Sequence, residues 1–279
     1  MRNGLGSALR IGLSKHGIAI LHTGGWRAKI TVLADHALTE QAFATPELLM
    51  QQCRTLLAEA KCTRLPVTVI LADDWVRLFM VTPPHNTARL QDCRAATAMR
   101  FQALYGEPSS GWRLEADWHA RLPFLACAMP HALLAALQAV ALERKLHLIS
   151  FMPQFIAAWN TWHADLHADA WFGIVQQEAL TLGAIDRQRL CAVRAVAIPP
   201  DGHSRDWLHA HVMREALRLN IPMPRRLQLY GTAPANWVAA RVETPAEVPT
   251  IHLLNDARPG PGERIVSDPE RLARSGMRT

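Results

Sequence analysis

Leu9-Arg10-Ile11-Gly12-Leu13, Ser14-Lys15-His16-Gly17, Ile18-Ala19-Ile20-Leu21 is the stretch that decides the fold: two apolar runs separated by a short polar turn. The first run alternates with the two-residue period of a half-buried strand, and the pair predicts a hairpin. Arg27 to Leu33 alternates again, and a helix follows. The pattern returns in the second half of the chain. Trp171 to Val175, Ala179 to Ile185 and Arg189 to Ile198 read as three more strands before a helix from about Ser204. Three strands and a helix, twice over, predict a duplicated α/β architecture with two lobes.

Helix signals fit this frame. Thr45-Pro46 pairs an N-cap hydroxyl with proline at the first helical position. Leu49, Cys53, Leu56, Leu57 and Ala60 then recur at helical spacing, so 46–61 buries one face. Ser204 caps a helix whose Leu208, Val212, Ala216 and Leu219 share a face. Between these lie a strand from Val67 to Leu71, a tight turn at Asp73-Asp74, and a return strand through Val76, Leu78 and Met80. That reading makes the two aspartates a hairpin tip rather than a metal pair. A helix over about 88–105 is expected to bury Leu90, Cys93, Thr97, Phe101 and Leu104. Two further strands, Trp112 to Trp118 and Leu122 to Met129, complete an insertion at about 73–129. A helix through Leu133, Leu137, Val140 and Ala141, a strand at Leu146 to Phe151 and a helix with Phe155, Ile156, Trp159 and Trp162 close the first half.

The resulting boundaries are a first lobe at 1–165 with the inserted subdomain, a second lobe at 166–255, and a flexible tail at 256–279. The polar stretch His163 to Asp169 is the hinge between lobes. In the second lobe, Leu227 to Tyr230 is a strand running into Gly231-Thr232, and Ile251 to Leu254 is a last short strand. The tail is proline-, glycine- and charge-rich without periodicity.

Composition excludes several classes. With 279 residues and 49% apolar content, the chain has enough material for real cores. No run approaches the roughly 18 uninterrupted apolar residues of a membrane-spanning helix, and Arg10 and Lys15 interrupt the first apolar run, unlike a secretory signal. A cytosolic chain is the simplest reading. The net charge of +6 rests on 26 Arg and four Lys, scattered singly rather than striped, which argues against nucleic acid as a partner. Five cysteines, widely spaced with no C-x-x-C pair, read as small buried hydrophobes.

Motifs for other chemistries are incomplete. Gly4-Leu5-Gly6 precedes a strand instead of following one, so the dinucleotide pattern fails. G-x-x-x-x-G-K-[ST] and G-x-S-x-G do not occur. His163 and His167, four apart, would share a face if helical, but the intervening Ala164-Asp165-Leu166 lacks the glutamate of H-E-x-x-H, so a surface pair outweighs a zinc site. Nine tryptophans include Trp112 and Trp118, which alternate with polar residues in the insertion and are candidate partner-binding anchors. Trp159, Trp162 and Trp207 are expected in the core.

The order of elements resembles the actin-like pilus-assembly protein PilM and the cytoplasmic domain of the type II secretion protein GspL. Local text carries it: Val81-Thr82-Pro83-Pro84, Tyr105-Gly106, and Leu146-His147-Leu148-Ile149-Ser150-Phe151-Met152-Pro153. The resemblance spans about Leu9 to Leu254. It implies a two-lobed actin-like, RNase H-like fold with an α/β insertion in the first lobe. For PilM it implies a short amino-terminal peptide of the membrane protein PilN docking in the first lobe; for GspL it implies the secretion ATPase as partner.

Actin-like ATPases need a carboxylate and glycine at the first hairpin tip and glycine at the second, so that backbone amides approach phosphate. Here the first tip is Ser14-Lys15-His16-Gly17 and the second is Gln176-Gln177-Glu178. The adenosine-side glycine pair is reduced to Gly231-Thr232. These degenerate loops lead to a reading without catalytic residues, metal or cofactor: a scaffold at the cytoplasmic face of a bacterial inner membrane, associated peripherally through its partner. Self-association stays open. The alternative is a nucleotide-binding PilM-like ATPase with atypical phosphate loops.

Overall fold

The computed structural model describes residues 6–24, 29–38, 45–85, 89–238, 248–254 and 266–277. Alternation in Ala8–Leu13 (β1) sends Leu9, Ile11 and Leu13 to one face of a sheet and Arg10 and Gly12 to the other. Gly17–Gly24 (β2) returns antiparallel, with Ile11 opposite Ile20, and Lys29–Ala37 (β3) continues the meander. The expected start of that third strand at Arg27 lies outside the described residues. Pro46–Glu59 (α1) is capped by Thr45, whose hydroxyl accepts from the Leu48 amide at 3.4 Å. Pro66–Leu71 (β4) then enters parallel to β1 on its other side.

The chain now leaves this sheet. Asp73–Trp75 is a 3₁₀ turn, and Arg77–Val81 (β5) joins a separate sheet of order β5-β7-β6. The expectation of a β4–turn–β5 hairpin is therefore wrong: no ladder joins those strands, and the aspartates mark the passage between sheets. Leu90–Tyr105 (α2), Trp112–Ala116 (β6) and Phe124–Pro130 (β7) complete the inserted unit. Phe79, Val81, Phe124, Ala126 and Ala128 pack on Cys93 and Phe101 of α2. Leu90 and Leu104, expected on the buried face, are 46% and 37% exposed because the three-stranded sheet covers only the central turns of the helix.

His131–Glu143 (α3) and His147–Pro153 (β8) finish the first sheet, of order β3-β2-β1-β4-β8. Helices α1 and α3 cover the Leu9/Ile11/Leu13 face. After Gln154–Trp162 (α4), the second lobe repeats the design with Ala170–Gln176 (β9), Ala179–Asp186 (β10) and Arg189–Ala197 (β11). Arg205–Leu219 (α5), Arg226–Gly231 (β12), Ala235–Val238 (α6) and Thr250–Leu253 (β13) follow. Its sheet, β11-β10-β9-β12-β13, has the same connectivity and directions as the first. Ser204 caps α5 by accepting from the Trp207 amide at 3.2 Å.

The lobes interlock. Helix α4 follows the first sheet yet packs Phe155 and Ala158 on Phe172, Ile174, Val193 and Tyr230 of the second. Asp268–Arg274 (α7) follows the second sheet yet lies on β1 and β2 of the first. Residues 256–265 and 278–279 of the expected flexible tail lie outside the described residues, but for 266–277 the expectation is overturned. Leu272 and Ala273 are fully buried, and Ser267 caps the helix by accepting from the Glu270 amide. Arg10 donates to the carbonyls of Ala273 (2.7 Å) and Ser275, closing the other end. Gly12 makes room for this: a Cβ there would sit 2.3 Å from the Pro269 carbonyl oxygen.

The tryptophans sort differently from expectation. Among the described residues Trp171 and Trp237 are the fully buried tryptophans, whereas Trp159, Trp162 and Trp207 are only partly buried. Burying a large apolar side chain contributes about 1.5–3 kcal/mol, so the second-lobe core depends more on the former pair.

Candidate functional site: the interlobe cleft and an adjoining groove

The two hairpin tips and the Asp73 turn meet at a cleft of about 570 Å³ between the lobes, lined by His16, Asp73, Asp74, Gln154, Gln176, Gln177, Glu178 and Thr181. At the first tip, Ser14 is buried and its hydroxyl accepts from the amides of His16 (3.2 Å) and Gly17 (3.1 Å). Those are amides a phosphate would need, and they are already satisfied from within. Lys15 turns to Asp74 at 3.6 Å and to the Trp75 ring. Gly17 has a packing duty, since a Cβ there would lie 2.4 Å from Pro269 Cγ of α7.

At the second tip, Gln177 occupies the left-handed region (φ 52°) and Glu178 is exposed, its carbonyl accepting from the Ile198 amide at 2.7 Å. Both polar atoms of the Gln176 side chain are buried without a hydrogen-bond partner. Gly231 has φ 104°, and a Cβ there would lie 2.0 Å from the Val175 carbonyl oxygen, so close strand packing demands glycine. The Thr232 amide donates to that same carbonyl at 2.9 Å. Neither residue is held in a form that presents free groups to an adenosine.

Asp73 is the cleft residue that sequence reasoning missed. Its Oδ1 accepts from the Phe155 amide at 3.0 Å, at the first turn of α4. Burial pushes its carboxyl up to about 7, against the opposing pull of the Phe155 amide, the Thr181 hydroxyl and the Gln154 amide. Asp74 is also raised by burial, with Lys15 and His16 acting the other way. The signal available in sequence was the pair of adjacent acids, but its sheet-to-sheet position is non-local information.

An actin-like fold implies a nucleotide with its metal ion in this cleft. The tips do not fit a triphosphate: the His16 and Gly17 amides are spent on Ser14, no glycine opens the second tip, and Asp73, Asp74 and Glu178 add acidic groups to the lining.

A larger groove, about 1210 Å³, opens on the far side of α4. Met80, Leu125, Cys127 and Met129 of the inserted sheet form one wall; Met152, Ile156 and Trp159 form the facing one. Asp117 and Glu115 stand on the inserted-sheet rim and Arg189 at the start of β11 on the opposite rim, with Glu115 already paired to Arg113 at 2.6 Å. Leu78 and Leu125 also touch the cluster containing Leu190, so the insertion bridges to the second lobe.

Solved structures with this arrangement place it. A PilM–PilN type IV pilus biogenesis complex matches with TM-score 0.64 at 14% identity, over 98% of this chain and 99% of that one. The fold is actin-like. The same conclusion comes from a Bacteroides thetaiotaomicron protein of actin-like ATPase fold and unknown function, with TM-score 0.60 at 10% identity over 96% and 95% of the two chains. The cytoplasmic domain of EpsL, an inner-membrane component of the Vibrio cholerae type II secretion system, matches with TM-score 0.55 at 12% identity over 82% and 83%. No family model and no curated protein matches the sequence.

Within this actin-like frame, the cleft brings together His16, next to Lys15 and Gly17, and Gln176, Gln177 and Glu178. Gly231 and Thr232 continue the strand beside them. Trp112 and Trp118 are elsewhere, both partly buried on the α2 face of the insertion. Trp112 packs on Phe101 at 5.4 Å and donates to Glu107 at 3.1 Å. Trp118 packs on Phe124 at 5.8 Å. Their rings are engaged within the insertion, with Arg77 and Arg94 over their faces. Among the described residues, no helix is long and apolar enough to cross a membrane.

Proposed function

We propose that this chain is a non-catalytic actin-like scaffold of a bacterial pilus or type II secretion assembly platform, cytoplasmic and peripheral to the inner membrane. It binds the cytoplasmic tail of a PilN-like single-span partner. The observation that carries the reading is the contrast between two cavities. The cleft that would take a nucleotide has the His16 and Gly17 amides of its first tip satisfied by Ser14, while the groove beside α4 offers an open apolar trough between polar rims. An apolar trough with a few placed charges suits an extended peptide, whose alternate side chains enter it while its backbone stays at the rim. Binding then works by position: the peptide touches the insertion, α4 and β11 at once.

Titration calorimetry of the full chain with a synthetic peptide of the amino-terminal tail of a PilN-like protein from the same genome tests this. Saturable one-to-one binding that is weakened at least about tenfold by Leu125→Asp supports it; binding unaffected by that change, or none, contradicts it.

One observation favours a second reading. Asp73 and Asp74 lie together in the cleft, and Mg²⁺ is often held by one or two carboxylates with water and substrate phosphates. On that reading the chain is a nucleotide-binding ATPase whose metal side has outlived its phosphate loops.

A further inference from the structure

Helix α2 buries Cys93, Thr97 and Phe101 and turns its other face to solvent. On that outer face Met99 is 72% exposed, with Ala95 one turn before it and Ala103 one turn after. Together with Pro84 and His85 the face encloses an open groove of about 610 Å³, in which Ala95, Ala96, Met99 and Ala103 are flanked by Asp92 and Arg100. Small side chains let a second helix come close, and a flexible thioether adapts to fill the space between two axes.

The charges decide what that second helix is. Asp92 and Arg100 are both exposed, and neither takes part in an ion pair among the described residues. They lie on one row with Ala96, about 12 Å apart along the axis. A two-fold axis exchanges the ends of a helix, so an antiparallel copy of α2 brings each Asp92 toward the Arg100 of the other. With the axis between Ala96 and Met99, each Met99 stands over Ala96 of the second copy, and acid and base come within one turn of each other. A parallel copy would set Asp92 against Asp92 and Arg100 against Arg100. A partner of one charge would match one end of the face and meet a like charge at the other. The face is thus complementary to itself in one orientation, which a closed two-fold dimer requires.

We propose that two copies of this chain pair through the exposed face of α2, antiparallel about a two-fold axis, with Met99 seated on the alanines and Asp92 facing Arg100 across the interface. One helix face is small for a specific interface, so the dimer is weak and concentration-dependent. Arg100 also borders the groove beside α4. The test therefore reads self-association directly, and the scaffold reading stands or falls apart from it.

Sedimentation velocity of the full chain across a concentration series is the measurement. A monomer–dimer equilibrium is expected, weakened at least about tenfold by Met99→Lys. Asp92→Arg and Arg100→Asp should each weaken it about threefold or more, since each sets like charges against one another twice in the dimer. The two reversals together restore opposite charges across the axis and should restore the dimer. All three positions are exposed, so the melting temperatures of the variants, read at concentrations where the parent is monomeric, should match the parent's. The proposal is overturned if the chain stays monomeric throughout the series, if Met99→Lys leaves the association unchanged, or if the double reversal fails to recover it.

Discussion

Asp73 Oδ1 accepts a hydrogen bond from the amide of Phe155 at 3.0 Å, across 82 residues of sequence. Helix α4 starts after Pro153, whose side chain cannot cap it, so a carboxylate from the turn after β4 takes the capping role. Phe155 in turn packs on Phe172 of the second lobe. One contact therefore ties the exit from the first sheet to the helix that joins the lobes.

Asp73→Ala removes this cap and should destabilise the fold by about 1–2 kcal/mol. Chemical denaturation would read it as a lower midpoint at unchanged slope.

The same residue gives a pH dependence. Its folded value of about 7 lies above the ordinary aspartate range near 4, so between these values the native chain holds a proton that the unfolded chain has released. This term lowers stability as pH rises from about 4 to about 7 and is constant above. Asp73→Asn stays neutral and lacks it. The stability difference between variant and parent should grow with pH across that window, by at most about 4 kcal/mol.

Gly12→Ala should undock α7, because the added methyl would lie 2.3 Å from the Pro269 carbonyl oxygen and 2.6 Å from the Ala273 amide nitrogen. Both are backbone atoms, and the helix has to move. A cost of about 2 kcal/mol or more is expected, with faster hydrogen exchange at 266–277 as the direct sign.

Arg10→Met keeps much of the apolar stem but loses the hydrogen bonds to Ala273 and Ser275. These bonds from a charged donor contribute about 1.5–3 kcal/mol each at the upper end. The expected outcome is a lower denaturation midpoint and loosening of the same helix, less severe than in Gly12→Ala.

Much of this architecture was legible in local pattern. The duplicated meanders show themselves because Leu9/Ile11/Leu13 and their counterparts alternate with a fixed period, and Thr45 and Ser204 announce their helices through capping that acts within three residues. What escaped depends on distant contacts. Asp73-Asp74 looks like a hairpin tip because nothing nearby reveals that β4 and β5 belong to different sheets. Helix α7 has only seven residues, too few for a visible period, and exists through its docking on Gly12 and Gly17. Trp159 and Trp171 each follow an alanine, yet one borders an open groove and the other lies inside a sheet-helix core, a difference set by distant contacts.

The central claim is that the nucleotide cleft has been converted while the groove beside α4 carries recognition. Titration of the full chain with Mg-ATP by calorimetry tests it most directly. The account predicts no saturable heat at micromolar concentrations, for the parent and for Asp73→Ala alike. One-to-one binding at micromolar affinity that Asp73→Ala abolishes would contradict it.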